Sequence, residues 1–320
     1  MRVRLAVVTC AAVVVLPLVS TAGQGTTLRY SWTPGQEDRY RVTQKVSATV
    51  TGIPGADTQT VEQAMTQTMV LRVMEVAGDG TATVRQTFEA LRMEITTPAG
   101  PAVFDSSAKD RPSDPTMARV ATMMTAMIGE SVNVTFRPNG DVVKVEGMSR
   151  VIEKMTAALP AGAEADPLLQ TIKASMSDDS MRRTVGQSFA VFPERPVTKG
   201  ESWTSTFENT QPVVGTLTTT RTSTLSGVET TGGAAMARIA IATATKQAAE
   251  APAGGIPMKI TLGDANGTGE MTFDVSKGRL QSSTATADLP MKMAVNGPDG
   301  QAMNLINTVH SVITLELVPR

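Results

Sequence analysis

Tyr40, Val42, Val46, Ala48 and Val50 fall on every second position, and Gln44 is the single polar residue in that phase. A period of two places alternate side chains on opposite faces of a strand, so this run predicts a β-strand with one buried face. The same alternation recurs along much of the chain. Leu28, Tyr30 and Trp32 read as a short strand before the turn Pro34-Gly35. Met69, Leu71 and Val73 read as another, ending at Gly78-Asp79-Gly80. Ala82, Val84, Gln86, Phe88 and Ala90 alternate and then change phase to Leu91, Met93 and Ile95. A phase change inside a strand predicts a β-bulge and a bend.

The middle of the chain follows a different rhythm. Asp114-Pro115 is a helix start with proline at its first position, and the Met/Ala-rich stretch Thr116 to Ile128 predicts a buried helix. Val132, Val134 and Phe136 alternate into Pro138-Asn139-Gly140, and Val143 and Val145 alternate out, which predicts a hairpin. Helical spacing returns at Met148, Val151, Ile152 and Met155, at Leu168, Leu169 and Ile172, and from Asp178 to Gln187. After Pro193, Pro196 and Gly200 the alternation resumes at Ile239 and Ile241, at Met258, Ile260 and Leu262, and at Met271, Phe273 and Val275. The last alternating run is Ile313, Leu315 and Leu317. Glu250 to Gly255 reads as a loop insertion.

The expected fold is therefore α+β and predominantly antiparallel, with two curved sheet halves around a central helical section. The divisions are a signal peptide at 1–22, an N-terminal β half at 23–112, a central section at 113–192 and a C-terminal β half at 193–320. Pro34-Gly35 before Tyr40 matches Lys199-Gly200 before Trp203, and Phe104-Asp105 matches Phe273-Asp274. These pairs allow a duplication, while any Thr/Val-rich antiparallel sheet produces similar coincidences.

Arg2 and Arg4 precede an apolar run from Leu5 to Val19, and Ser20-Thr21-Ala22 offers small residues for cleavage, so the chain is expected to be exported to the periplasm or beyond. The apolar run is shorter than the roughly 20 residues of a membrane span. Cys10 has too short an upstream segment for lipidation and would leave with the signal. No second apolar segment long enough to span a bilayer follows. Without Arg2 and Arg4 the 29 basic residues become 27 against 30 acidic ones, net −3, and no sustained charge run points to nucleic acid.

Cys10 and His310 are the chain's one cysteine and one histidine. Metal sites built on thiolates or paired imidazoles are thereby excluded from the mature chain, and a Ser-His-acid triad would have to use His310. No cofactor is expected. Glu62, Glu89, Glu94, Asp105, Glu270 and Asp274 are the carboxylates available for acid–base hydrolysis, but their spacing selects no pair. Asp105 and Asp274 read more simply as turn caps.

Methionine, at 19 residues, is in excess while aromatic residues make up 3%. Met117, Met123, Met124 and Met127 cluster on the central helix, and Met291-Lys292-Met293 forms an M-x-M pair. Thioethers suit Cu(I), but adaptable core filler is the better account, and flexible methionines also suit a pocket for apolar ligands. Met123, Met124 and Met127 are the ligand-lining candidates. Trp32 and Trp203 either flank a binding mouth or anchor the starts of the two β halves.

The runs Gly267-Thr268-Gly269-Glu270-Met271-Thr272-Phe273-Asp274-Val275-Ser276-Lys277-Gly278-Arg279-Leu280 and Phe192-Pro193-Glu194-Arg195-Pro196-Val197-Thr198-Lys199-Gly200-Glu201-Ser202-Trp203 resemble a family of uncharacterised bacterial secreted β-rich proteins. That resemblance implies a fold and no function. In architecture the expected fold is similar to periplasmic lipoprotein carriers, where helices close a curved sheet over an apolar cavity. The function expected is non-enzymatic binding of an apolar, lipid-like ligand between curved sheet and Met-rich helices. The rivals are an envelope scaffold that binds a protein partner and a carboxylate-dependent hydrolase.

Overall fold

The computed structural model describes residues 25–52, 58–97, 100–108, 112, 114–160, 169–170, 173, 176–211, 214–249, 258–296 and 302–319. The export signal, Leu168, Ile172 and the 250–255 insertion lie outside the described residues. The N-terminal strands are β1 (Glu37–Thr51), β2 (Gln59–Val76), β3 (Ala82–Thr97) and β4 (Gly100–Asp105). The central section holds α1 (Pro115–Met127), β5 (Ser131–Phe136), β6 (Val142–Glu146), α2 (Met148–Ala157) and α3 (Asp178–Ser188). The C-terminal strands are β7 (Ser202–Gln211), β8 (Gly215–Thr231), β9 (Ala234–Ala249), β10 (Met258–Leu262), β11 (Ala265–Asp274), β12 (Arg279–Asn296) and β13 (Ala302–Val318).

All thirteen strands belong to one open, curved antiparallel sheet, as the α+β reading expects. Its order is β6-β5-β3-β2-β1-β13-β12-β11-β9-β8-β7, with β4 beside β3 and β10 beside β12. The first and last strands join the halves, pairing from Arg39↔Val318 to Thr51↔Ile306. The phase change in β3 is a bulge: Phe88 faces Met69 and Ala90 faces Thr68, leaving Glu89 as the extra residue. The hairpin at Pro138-Asn139-Gly140 forms as expected, with Gly140 at φ 92°. A Cβ there would sit 2.0 Å from the Ala190 carbonyl oxygen, so only glycine fits.

The helices close one end of the sheet. Asp114 caps α1 by accepting from the Met117 N–H at 2.8 Å, and α1 packs on α2 and β4. Asp178 accepts from the Met148 N–H at 2.9 Å and so ties α3 to the start of α2. Ser177 caps α3. Helix α3 packs against both β6 and β7, the two ends of the strand order. The sheet therefore curls until both of its edges flank one helix, which covers them against further pairing.

Leu28 to Trp32 joins none of the named strands, contrary to its alternation. The segment runs as an extended strap whose backbone bonds are spent on two separate hairpin turns. Tyr30 N–H donates to Pro138 at 2.7 Å and Ser31 N–H to Gly278 at 2.9 Å. Leu28 and Tyr30 still point inward. Tyr30 and Trp32 of the strap gather with six further aromatic residues, eight of the eleven in the chain, with Tyr30–Phe273 ring centroids 5.1 Å apart, Phe192–Phe273 4.8 Å and Phe136–Phe189 5.0 Å. An aromatic-poor chain has thus spent its rings on one closed end.

Candidate functional site

The cross-strand register sorts each strand into a convex and a core-facing side. One rung of the core-facing side runs Leu91, Gln67, Val42, Leu315, Ser283, Met271, Ile239, Leu225. Its apolar residues are packed beneath the helices and the aromatic end. The next rung runs Met93, Met65, Gln44, Ile313, Ala285, Gly269, Ile241, Ser223. On this rung the cover stops at β13, while Ile241 and Ser223 at the β9–β8 side stay buried. Leu315 is 4% exposed and Ile313, two residues away on the same face, is 42% exposed.

Beyond this step aliphatic residues continue along β1 and β12, interspersed with the polar Gln63, Ser311 and Asn307. Val46, Ala48 and Val50 on β1, Val309 on β13 and Leu289, Met291 and Met293 on β12 share the face. Val61 on β2, facing Ala48, is 37% exposed. At the centre of the wall the residues are small. A Cβ on Gly267 would lie 2.6 Å from the Thr286 oxygen, and one on Gly269 2.4 Å from the Thr284 oxygen. Both glycines are therefore fixed by the close approach of β12 to β11. At the far rim β10, which precedes β11 in the chain, pairs among the described residues only with β12. Gln247 fills the resulting gap, donating to the Ile260 oxygen at 3.1 Å and accepting from Leu262 N–H at 3.0 Å.

Charge is segregated between the two faces. The convex face carries Arg39 with Glu89 at 2.6 Å, Arg41 with Glu316 at 3.1 Å, and His310 Nδ1 with Asp288 Oδ1 at 2.7 Å. On the core-facing side, above the packed rung, Arg221 is the one charged residue among the described residues. Its guanidinium donates to the Phe189 oxygen at 3.1 Å and to the Gln187 oxygen, and lies 4.7 Å from the Phe207 ring centroid. Burial pulls its pKa below the usual arginine value, and the neighbouring Tyr30 opposes that shift. Burial likewise pushes the Tyr30 hydroxyl upward.

The candidates from the sequence fall elsewhere. Met123 and Met127 are 1% and 6% exposed within the core cluster, and Met124 packs against it half-buried. They fill the space beneath α1 and offer no open surface at the wall. Trp32 stacks on Tyr30 at 5.7 Å, and Trp203 donates to the Val191 oxygen at 2.9 Å, so both act as anchors of the closed end. The M-x-M pair does reach the wall: Met291 and Met293 face inward with Lys292 outward. Asp105 and Asp274 cap turns as expected, accepting from Ser107 N–H at 2.8 Å and Lys277 N–H at 2.9 Å. Glu89 is tied to Arg39, and Glu270 is exposed on the convex side. Glu62 and Glu94 line a 310 Å³ convex recess together with Lys45 and half-exposed His310. Among the described residues no three His, Cys, Asp or Glu side chains are grouped to hold a metal, and no helix is long and apolar enough to cross a membrane.

Sequence reasoning missed Ile313 and Arg221 as site residues. The signal for Arg221 was present: Leu217, Thr219, Arg221, Ser223 and Leu225 share one phase, which puts the arginine on the leucine side.

A family model described as a family of unknown function, DUF6263, matches residues 79–280. None of the curated proteins matches the chain. Among solved structures, one of lipovitellin, described as lipid-protein interactions in lipovitellin, is 9% identical and covers 90% of this chain at a TM-score of 0.46. This chain spans 25% of the lipovitellin chain. DynF from the dynemicin biosynthesis pathway of Micromonospora chersina is 10% identical, covering 95% of this chain and 91% of its own at a TM-score of 0.19. A DUF1329 family protein from Desulfovibrio piger is 7% identical, covering 86% and 84% at 0.11. None of these superpositions reaches a TM-score of 0.5.

Proposed function

This chain belongs to the family of unknown function DUF6263, and from that premise we propose that it is an exported, non-enzymatic binding protein whose core-facing sheet wall holds an apolar, lipid-like ligand. The observation that carries the reading is the exposure step between Leu315 and Ile313. An apolar face that continues past its own packed core leaves aliphatic surface in water, and each exposed square ångström costs about 25 cal/mol relative to burial. A contiguous exposed apolar patch marks a binding surface more often than an accident of folding. Curvature supports the same reading, because the wall faces inward where an elongated molecule would touch several strands at once.

The ligand-facing residues in this reading are Ile313, Val46, Val61, Val309, Leu289 and Met291, in place of the methionines of α1. Export is supported by Arg2, Arg4 and the Leu5–Val19 run. The test is binding of an environment-sensitive apolar dye to the purified mature protein. Dye fluorescence should rise saturably with wild type and fall when Ile313 and Val46 are both changed to aspartate. An unchanged signal in that variant would place the dye elsewhere and end this reading of the wall.

A further inference from the structure

We propose that the ligand of this wall is a long-chain carboxylate whose head group pairs with Arg221 while its alkyl chain lies along the rungs beyond Ile313. The inference rests on the wall being an apolar ligand site and adds the chemical class of the ligand.

Arg221 stands on the rung Ile95, Gln63, Val46, Ser311, Ala287, Gly267, Thr243, one step further out than Ile313. No acidic side chain on the described core-facing wall balances it, and among the described residues no ion pair forms to it. Its partners are the carbonyls of Gln187 and Phe189 at the end of α3 and the face of Phe207. The C-terminal end of a helix and an aromatic face both favour a cation. They fix the guanidinium in place without neutralising it. Of its five N–H groups two are committed to those carbonyls, leaving donors free for a further acceptor.

A neutral ligand that displaced water from this wall would leave the charge dry and unpaired, which is costly. A carboxylate removes that cost, because a guanidinium edge matches its two oxygens in geometry and charge. One cation on the wall calls for one negative charge. The residues beside it on the wall, Ser223, Thr243 and Gly267, carry no charge that would compete for the guanidinium. On the apolar side, β12 lies three strand spacings from β8, about 14 Å across the sheet, so an extended long alkyl chain headed at Arg221 reaches Leu289 one rung further out.

The experiment measures affinity of the full mature protein for palmitate, hexadecanol and acetate by titration calorimetry. Wild type should bind palmitate roughly tenfold or more tightly than hexadecanol, the scale of one charge-assisted pair, and acetate should not compete. Arg221→Met should lose the preference and keep hexadecanol binding. Equal affinities in wild type, a preference that survives in Arg221→Met, or effective competition by acetate would each overturn the proposal. Binding of neither long-chain compound would instead refute the apolar wall itself. If Arg221→Met does not fold, Arg221→Lys carries the test: a weakened preference supports the head-group contact, and an unchanged one overturns it.

Discussion

Leu315 and Ile313 lie two residues apart on the same face of β13, yet Leu315 is 4% exposed and Ile313 42%. The packed end of the sheet stops between them, and the apolar face does not. Leu315→Ala should cost about 2–5 kcal/mol, the usual range for emptying a buried aliphatic site. Ile313→Asp should change stability by less than about 1 kcal/mol, since it leaves no cavity. Urea denaturation of the two variants checks the contrast; a large loss in Ile313→Asp would mean that Ile313 is part of the core.

Met123 is core filler in this structure. Met123→Ala should therefore destabilise by about 2–4 kcal/mol while leaving the affinity of any apolar ligand unchanged in the folded fraction. A selective loss of binding without loss of stability would return the site to α1.

Gly269 is held against β12, where a Cβ would meet the Thr284 oxygen at 2.4 Å. Gly269→Val must push β11 and β12 apart, and overpacking of this kind costs about 1–3 kcal/mol. Thermal unfolding should register a lower midpoint. A midpoint equal to wild type would contradict the close approach of β12 to β11 at this point in the wall.

Asp38 is buried and bonds Arg279 at 2.8 Å and Gln36 at 2.6 Å. Arg279→Met strands a buried carboxylate, and breaking a buried pair from one side costs about 3–5 kcal/mol. The double variant Arg279→Met with Asp38→Leu should recover part of that loss. No recovery would show that the arginine matters for something other than pairing with Asp38.

The Asp105 carboxyl is held below its usual range, first by the Ser107 hydroxyl and then by the Ser107 N–H, with Arg92 adding to both. A depressed folded-state pKa means that the unfolded chain binds more protons, so stability rises with pH through this window. The contribution is complete above the unfolded carboxylate value of about 3.9 and fades as pH falls through the lower folded value. Acid titration of the unfolding free energy should thus be flatter for Asp105→Asn below about pH 4 and unchanged near neutrality.

The fold was largely legible because alternation is a local signal. The β3 bulge, the Asn139-Gly140 hairpin and the Asp114 cap each depend on residues within a few positions of one another. The strap at Leu28–Trp32 alternates like a strand, and only the distant turns at Pro138 and Gly278 reveal that it crosses the sheet end instead. The site was less legible for a related reason. Whether an inward-facing side chain is covered depends on where the helices stop, and Ile313 and Leu315 look equivalent in sequence. The methionine excess on α1 is accounted for by burial. The phase shared with Leu217 and Leu225 places Arg221 on the inner face, but that its charge stands alone there emerges only once the register assigns a face to every strand.

Native mass spectrometry of the mature protein purified gently from a periplasmic extract, followed by organic extraction, tests the open apolar wall most directly. The account predicts a lipid-sized adduct that is released into solvent and is absent from a folded Ile313→Asp, Val46→Asp double variant. A ligand-free mass that persists after incubation with envelope lipids would contradict it.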